Sequence, residues 1–326
     1  MHGTPSVFHA GGVANHGSTL LTPDFFAYND GRPKLSNVYS SGCLLVRLRR
    51  EPDSCGAAHK GGPLGEAMQV IVLCGGKGSR LREETEFKPK PMVAIGDEPI
   101  LWHIMKRYAA YGIEDFVLCL GYKAEHIRSY FLNYSLTHSN VMVELGSKRV
   151  EKLDGEHGEA GWRVWLVDTG AETMTGGRVK LVEKFIEGPT FMATYGDGVA
   201  DIDVEALLKF HRDHGKLGTV TAVRPSSRFG ELSFDRGTSV ASFQEKPQVN
   251  EGWINGGYFV FQREVLNLIG GPEESLELGL LRKLTNLGQL EAYRHAGFWQ
   301  CMDTYREMEL LNELWSSGRA PWKNWV

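Results

Sequence analysis

A run of glycines and cations follows the first strongly apolar segment of the sequence. Gln69–Cys74 predicts a buried strand, and residues 75–80 then read Gly-Gly-Lys-Gly-Ser-Arg. Glycines let a backbone approach phosphate closely and point N–H groups at its oxygens. Four nearby side chains, Lys77, Arg80, Lys88 and Lys90, supply positive charge. The stretch therefore predicts a site for a nucleoside triphosphate.

Two common phosphate-binding motifs do not fit this loop. A dinucleotide-binding G-x-G-x-x-G turn would need a third glycine where Leu81 stands. A P-loop would close on Gly-Lys-Ser/Thr, whereas Gly78 is followed by Ser79 and Arg80. The remaining alternative is a glycine-rich turn with incidental surface cations, and the density of cations disfavours it.

Two aspartates far apart in sequence are candidate magnesium ligands. Asp197 follows a predicted strand, where ligands bind in open α/β sheets, and the helical pattern of Val204–His214 disfavours a simple Asp-Gly hairpin. Asp303 has an alternative role at a helix start, because Thr304 and Glu307 have the spacing of a capping box. Together, two carboxylates can hold one Mg²⁺ that also binds triphosphate oxygens.

A second anion site is predicted further along the chain. Glu245-Lys246-Pro247 ends a predicted strand, and Asn255-Gly256-Gly257 interrupts another. Lys246 could bind a sugar phosphate and Glu245 could accept from sugar hydroxyls, although a solvated charge pair is the simpler interpretation. Glycines within a strand indicate close approach by a ligand, or a bulge.

Composition divides the chain into two parts. Glycine, proline and serine make up 21 of the first 67 residues, which predicts a disordered or non-native extension over 1–67 and one catalytic domain over 68–326. A net charge of −4 argues against nucleic-acid binding. Five scattered cysteines without metal-ligand spacing favour reduced thiols in the cytoplasm. No apolar run approaches the roughly 20 residues of a membrane span, so no membrane association is expected.

The remaining pattern predicts an α/β fold. Strands alternate with helices from Gln69 to Val223, which implies a mostly parallel sheet with helices on both faces. Shorter β segments after Arg224 predict a small β-rich subregion on the sugar side. A helix is expected over Arg178–Ile186. His211 and His214 are expected on the surface of the helix over Val204–His214.

The ordered series of motifs resembles the sugar-1-phosphate nucleotidylyltransferases, and within them the branch that uses CTP and glucose 1-phosphate. The likeness runs from Met68 to about Trp325. The motifs that carry it are Glu-Glu-Thr at 83–85, Lys-Pro-Lys-Pro-Met at 88–92, Leu-Trp-His-Ile-Met at 101–105, Val-Asp-Thr-Gly at 167–170, Met-Thr-Gly-Gly-Arg at 174–178, Thr-Tyr-Gly-Asp-Gly-Val-Ala-Asp at 194–201, Ser-Phe-Gln-Glu-Lys-Pro at 242–247, Gly-Phe-Trp-Gln at 297–300 and Ala-Pro-Trp-Lys at 320–323. The chain departs at Cys74, where relatives usually carry alanine, and at Ser79, often threonine.

The resemblance implies a Rossmann-like mixed sheet, the nucleotide-diphospho-sugar transferase fold, and a Mg²⁺-dependent transfer of CMP from CTP to α-D-glucose 1-phosphate without a covalent intermediate. It also implies a cytoplasmic homo-oligomer serving lipopolysaccharide O-antigen synthesis. Arg80, Lys90 and Asp197 would be catalytic, and Asp197 and Asp303 would bind Mg²⁺. The implied CTP-binding residues are Leu73, Cys74, Gly75, Gly76, Lys77, Gly78, Ser79, Arg80, Lys90, Thr173, Arg178 and Gly196. The implied sugar-phosphate residues are Glu245, Lys246, Asn255 and Gly257.

Two alternatives stay open on the residues alone. The same chemistry could use another base, as in a thymidylyl- or uridylyltransferase, because base choice depends on a few hydrogen bonds. The chain could also be a catalytically silent sensor of nucleotide sugars. Retention of Arg80, Lys90, Asp197 and Asp303 together argues against the sensor, which needs no leaving-group apparatus.

Overall fold

The computed structural model describes residues 68–78, 81–154, 157–225, 231–234, 240–244 and 252–325. The predicted extension over 1–67 lies outside these residues, so its boundary stays a prediction. None of the helices in the described ranges combines the length and apolarity needed to cross a bilayer.

The strands and helices alternate broadly from Gln69 to Val223, and β strands follow one another from there to Gln262, as the sequence predicts. The strands are β1 (Gln69–Leu73), β2 (Ala94–Ile95), β3 (Glu98–Pro99), β4 (Asp115–Leu120), β5 (Val141–Glu144), β6 (Arg149–Lys152), β7 (Arg163–Asp168), β8 (Thr190–Tyr195), β9 (Gly198–Ala200), β10 (Gly218–Val223), β11 (Glu231–Phe234), β12 (Val240–Gln244), β13 (Ile254–Gln262), β14 (Leu290–His295) and β15 (Trp299–Cys301). The helices are α1 (Arg82–Thr85), α2 (Ile100–Ala109), α3 (Ala124–Thr137), α4 (Thr175–Leu181), α5 (Val204–His214), α6 (Arg282–Asn286) and α7 (Tyr305–Ser316). Short 3-10 turns lie at Lys90–Met92, Glu183–Phe185 and Arg263–Leu268, and a π-helical segment at Leu276–Leu281.

Seven strands form the central sheet in the order β14-β10-β13-β8-β1-β4-β7. Neighbours pair in parallel except at β13, which is antiparallel to both β10 and β8. The sheet is therefore mixed and mostly parallel, which confirms the predicted fold class. β13 and β14 belong to this sheet, so only the β11–β12 hairpin stands apart among the strands predicted for the sugar-side subregion.

Both faces of the sheet are buried at its centre, where β1 lies. Alternate residues of β1 point to opposite sides, with Val70 and Val72 in one apolar cluster and Ile71 and Leu73 in the other. A strand covered by helices on both faces reads as a continuous apolar run instead of an alternating one. This is why Gln69–Cys74 carries so strong a sequence signal.

Local signals fix several helix ends. Asp203 caps α5 by accepting a hydrogen bond from the Ala206 backbone N–H at 2.9 Å, and Gly215 ends the helix in the left-handed region at φ 64°. Thr304 and Glu307 form the capping box predicted for α7.

The helix predicted over Arg178–Ile186 is misplaced, because α4 begins at Thr175 and ends at Leu181. Gly176 and Gly177 lie inside this helix, although glycine disfavours helices. Tertiary packing explains them, since a Cβ on Gly177 would stand 2.5 Å from the Cα of Pro272. Because these two glycines have no side chain, the backbone of α4 can contact the backbone of the segment around Pro272.

The expectation that His211 lies on the surface is wrong. Its side chain is fully buried, with Nδ1 2.8 Å from the Thr219 hydroxyl and Nε2 3.0 Å from the Gln262 amide nitrogen. His103 is also fully buried, where Nε2 donates to the Ile95 carbonyl at 2.9 Å. Burial lowers the pKa of both imidazoles to about 4. Both side chains are therefore neutral in the folded protein near neutral pH.

We expect the free energy of unfolding to fall as the pH drops from 7 to 5. An unfolded chain protonates these histidines below its ordinary pKa of about 6.5, whereas the folded state resists down to about 4. Linkage gives a loss of about 2 kcal/mol per histidine over this interval. Urea unfolding at several pH values measures it, and His211→Gln should remove the share of this one histidine, about 2 kcal/mol. A flat profile, or an unchanged slope in the variant, would contradict the prediction.

Candidate active site

The carboxyl ends of β1 and β8 lie side by side, with Leu73 paired to Tyr195. From β1 the chain adds β4 and β7 on one side, and β8 then lies on the other. Ligands bind at such switch points in open α/β sheets. A cavity of about 330 Å³, the first cavity, lies here. Its lining residues are Leu73, Cys74, Gly76, Gly78, Lys90, Pro91, Gly196, Asp197 and Asp303.

Gly75 and Arg178 form the support beneath the glycine loop. The Arg178 guanidinium is buried and donates to the Gly75 carbonyl at 3.1 Å, the Leu120 carbonyl at 3.0 Å and the Thr169 hydroxyl at 2.7 Å. A Cβ on Gly75 would stand 2.0 Å from Nη1 of Arg178. Only glycine leaves room for this cation, which therefore fixes the backbone of the loop from below.

Strand pairing brings the two aspartates together. β9 pairs antiparallel with β15 in the register Gly198 to Cys301. Asp197 immediately precedes β9, and its backbone carbonyl accepts from the Met302 backbone N–H at 2.8 Å. Met302 is the residue before Asp303, so this bond places the two aspartates side by side. A short strand, β9, does follow Asp197, but its partner is β15 and not β8, so Asp197 does not lie in the simple Asp-Gly hairpin that the sequence disfavours.

Lys90 bridges the two carboxylates. Its ammonium donates to Oδ2 of Asp197 at 2.7 Å and to Oδ1 of Asp303 at 2.5 Å. Burial alone would lower the pKa of Lys90, but the two aspartates outweigh it, so the pKa is raised above its ordinary value. Lys90 is therefore a fixed positive charge at any physiological pH.

The cysteines near the carboxylates are neutral thiols. Burial raises the pKa of Cys301 to about 12, and burial also raises the pKa of Cys74 well above its ordinary value. A thiol, unlike a thiolate, is a poor nucleophile. These side chains are therefore unsuited to covalent catalysis, in line with the reaction type expected from the sequence.

A second cavity of about 160 Å³ adjoins the first and shares Asp197 and Asp303 with it. Its other lining residues are Thr194, Tyr195, Gly198, Gly256, Gly257, Tyr258, Trp299 and Cys301. Asn255 does not line this cavity, but its side-chain amide donates to the hydroxyl of the lining residue Tyr195 at 3.2 Å. Two ligands could therefore meet at the pair of carboxylates, one from each cavity.

A larger cavity of about 430 Å³ lies elsewhere, between α3 and β7. Its lining is mainly apolar and includes Phe131, Trp162 and Leu166. It contains neither the glycine loop nor the paired aspartates, so we place the candidate active site in the first two cavities.

The remaining predicted site residues have different positions. Lys77 is exposed and pairs with Glu172, with Nζ 2.8 Å from Oε1. Thr173 lies in the segment between β7 and α4 but lines neither cavity. Four further residues, Ser79, Arg80, Glu245 and Lys246, lie outside the described residues.

Sequence reasoning missed three residues of this region. Tyr195 and Trp299 line the second cavity, and both occur in motifs that were recognised without assigning them a role. Glu277 bonds the Tyr195 hydroxyl. No sequence signal marks it, because a single glutamate early in a helical segment is common.

The carboxylate pair fits a divalent cation. Both aspartates already direct an oxygen at one positive atom, the Lys90 ammonium. Mg²⁺ prefers carboxylate oxygens, and one or two of them together with substrate phosphates suffice. Across the described ranges, no cluster of three or more His, Cys, Asp or Glu side chains has the geometry of a metal site. A metal here would thus take the rest of its ligands from the nucleotide phosphates and from water.

A glycine loop and paired carboxylates at the switch point of a mostly parallel sheet define a nucleotide-binding α/β protein. The chain belongs to the nucleotidyl transferase family, whose model matches residues 69–300. The recognised motifs and the fold therefore agree on the class.

Within this family, the chain is similar over most of its length to curated relatives that are named for one activity. The chain is 48% identical over 259 residues to the glucose-1-phosphate cytidylyltransferase of Salmonella typhi, covering 79% of this chain and all of the relative. It is 39% identical over the same coverage to the probable glucose-1-phosphate cytidylyltransferase of Bacillus subtilis.

Solved structures support the fold. HddC from Yersinia pseudotuberculosis superposes with a TM-score of 0.57 at 23% identity, covering 76% of this chain and 99% of that one. The inositol-1-phosphate CTP transferase of T. maritima gives a TM-score of 0.56 at 17% identity, covering 80% and 99%.

Proposed function

We propose that this protein transfers CMP from CTP to α-D-glucose 1-phosphate, giving CDP-glucose and pyrophosphate. The observation that carries the proposal is the meeting of two cavities at Asp197 and Asp303, with Lys90 between them. Such an arrangement suits two phosphorylated ligands that react where they meet. The choice of CTP and glucose 1-phosphate is supported by the cytidylyltransferase relative at 48% identity.

In the proposed reaction a phosphate oxygen of glucose 1-phosphate attacks the α-phosphorus of CTP. The bond from that phosphorus to the β-phosphate bridging oxygen breaks, and its electron pair leaves with pyrophosphate. The sugar phosphate is already an anion, so no protein nucleophile is needed. The chain's main tasks are to offset the repulsion between two anions and to hold them in line.

Mg²⁺ held by Asp197 and Asp303 would neutralise part of the triphosphate charge. One position between the carboxylates cannot hold both a metal and the Lys90 ammonium. Lys90 also lines the first cavity, so its ammonium would move there and donate to phosphate oxygens. The glycine loop would donate backbone N–H groups to the same phosphates.

The proposal assigns the remaining contacts as the motif resemblance implies. Arg80 would bind the leaving pyrophosphate, and Lys246 and Glu245 would bind the sugar phosphate. We further propose that residues 68–326 form the catalytic domain, that the protein is a cytoplasmic homo-oligomer, and that its product serves lipopolysaccharide O-antigen synthesis.

Pyrophosphate release with glucose 1-phosphate tests the proposal across CTP, dTTP, UTP, ATP and GTP. We expect CTP to give a kcat/KM at least about tenfold above the others, because a mispaired buried polar group at the base costs about 1–3 kcal/mol. Mass spectrometry should identify CDP-glucose, and reactions without glucose 1-phosphate serve as the control. A preference for dTTP or UTP would change the assigned base. Binding of CDP-glucose without any turnover would instead identify a sensor.

A further inference from the structure

Glu277 occupies an unusual segment beside the second cavity. It lies in the π-helical turn Leu276–Leu281, which Ser275 caps by accepting from the Leu278 backbone N–H at 2.9 Å. π-Helical turns are rare and occur often at functional sites. Although Glu277 lines neither cavity, both of its carboxylate oxygens are engaged by hydroxyl groups.

The first of these hydroxyls belongs to the wall of the second cavity. Oε1 of Glu277 accepts from the Tyr195 hydroxyl. That hydroxyl accepts from the side-chain amide nitrogen of Asn255 at 3.2 Å. The side-chain oxygen of Asn255, Oδ1, accepts in turn from the Gly257 backbone N–H at 2.8 Å. A chain of three hydrogen bonds therefore runs from Glu277 to the backbone of β13.

The ring of Tyr195 also packs on Gly257. A Cβ at Gly257 would stand 2.4 Å from Cδ2 of Tyr195, and the glycine has φ 80°, in the left-handed region. Since Tyr195 and Gly257 both line the second cavity, the angle of the ring sets the shape of that cavity. Glu277 holds the ring by its hydroxyl end.

The second hydroxyl lies on the side of the nucleotide loop. Oε2 of Glu277 accepts from the Thr175 hydroxyl at 2.9 Å, at the start of α4, the helix that carries Arg178. This helix has independent support, because Met174 N–H donates to the Pro272 carbonyl at 2.8 Å and Gly177 N–H to the Glu274 carbonyl at 2.9 Å. Loss of Glu277 would therefore release Tyr195 far more than α4.

We infer that Glu277 is a positioning residue for the sugar phosphate, acting through Tyr195 and Asn255 and not by contact with substrate. This inference rests on the proposed function, since it assigns the second cavity to glucose 1-phosphate. A carboxylate is suited to the task because it accepts from two hydroxyls at once and forms stronger hydrogen bonds than a neutral acceptor.

Steady-state kinetics of Glu277→Ala tests the inference. We expect KM for glucose 1-phosphate to rise about tenfold, with KM for CTP changed less than about twofold. Tyr195→Phe should reproduce the effect, and the double variant should be no worse than the more affected single variant. Glu277→Gln, which keeps an acceptor, should recover most of the affinity. Glu273→Ala, an exposed glutamate four residues earlier, is the matched control and should leave both KM values unchanged.

Each other outcome has a definite meaning. Three outcomes would overturn the inference while leaving the proposed function in place. They are equal rises in both KM values, additive effects in the double variant, and an unchanged KM for glucose 1-phosphate in Glu277→Ala. Absence of turnover in the unmodified protein would overturn the proposed function, and the inference with it. If Glu277→Ala fails to fold, as judged by Tm, Tyr195→Phe and Glu277→Gln decide the question.

Discussion

Asp197→Ala is expected to lower kcat by about 10²–10³-fold while Tm changes little. Loss of a preorganised charge at a reacting phosphate has effects of this size in other enzymes. Asp197 contributes one of the two carboxylates on the shared wall of both cavities, and its side chain is 34% exposed, so the fold depends little on it. Pyrophosphate release measures the rate, and circular dichroism measures Tm.

A second readout separates metal binding from other roles of Asp197. Mn²⁺ bound by the complex with CTP can be followed by electron paramagnetic resonance, and Asp197→Ala should weaken it about tenfold or more. Asp213→Ala is the control. Among the described residues, this exposed carboxylate forms an ion pair only with Lys209, on the surface of α5. Such surface pairs contribute little to stability, so the variant should leave Mn²⁺ binding unchanged. Near-normal turnover in folded Asp197→Ala would remove this aspartate from the mechanism.

Gly75→Ala is expected to destabilise the protein strongly, whereas Gly76→Ala should not. The new methyl group at position 75 would stand 2.0 Å from Nη1 and 2.2 Å from Cζ of Arg178. Arg178 cannot move aside cheaply, because its guanidinium is buried and would lose hydrogen bonds to carbonyl and hydroxyl oxygens. Two lost charge-assisted hydrogen bonds amount to about 3 kcal/mol or more.

The neighbouring glycine is a matched control. A Cβ on Gly76 would meet no atom within 4 Å, and its φ is not in the left-handed region. Thermal unfolding should show Tm lower by about 10 °C in Gly75→Ala and nearly unchanged in Gly76→Ala. Equal Tm values in the two variants would mean that Arg178 does not support the loop as described. CTP binding should weaken in Gly75→Ala, because the backbone it displaces is that of the phosphate loop.

The Lys90 bridge has a consequence for the order of binding. Two carboxylates directed at one point repel each other, and the ammonium offsets that repulsion before any metal arrives. In the proposed reaction Asp197 and Asp303 would instead hold a divalent cation, which would neutralise part of the triphosphate charge, and Lys90 would donate to the phosphates. Such an exchange avoids leaving a buried charge unpaired at either stage.

The sequence by itself determined the fold class and pointed to several residues, among them Lys90 and Asp197, that the structure brings together in the candidate site. β1 and the glycine loop were recognisable because a strand buried on both faces is a continuous apolar run, and the break into glycines is local. The capping box of α7 and the Asp203 cap of α5 are likewise contacts within three or four residues. Sequence periodicity records such short-range geometry directly.

Only the tertiary structure decided which of these pieces meet. Asp197 and Asp303 converge on Lys90 because β9 pairs with β15, and no local pattern specifies the pairing of two three-residue strands. Contacts between residues more than fifty positions apart decide three further features. They bury His211 against Gln262, hold Arg178 beneath Gly75, and join Glu277 to Tyr195. A residue's type and near neighbours fix what it can bond, whereas the packing of distant elements fixes what it does bond.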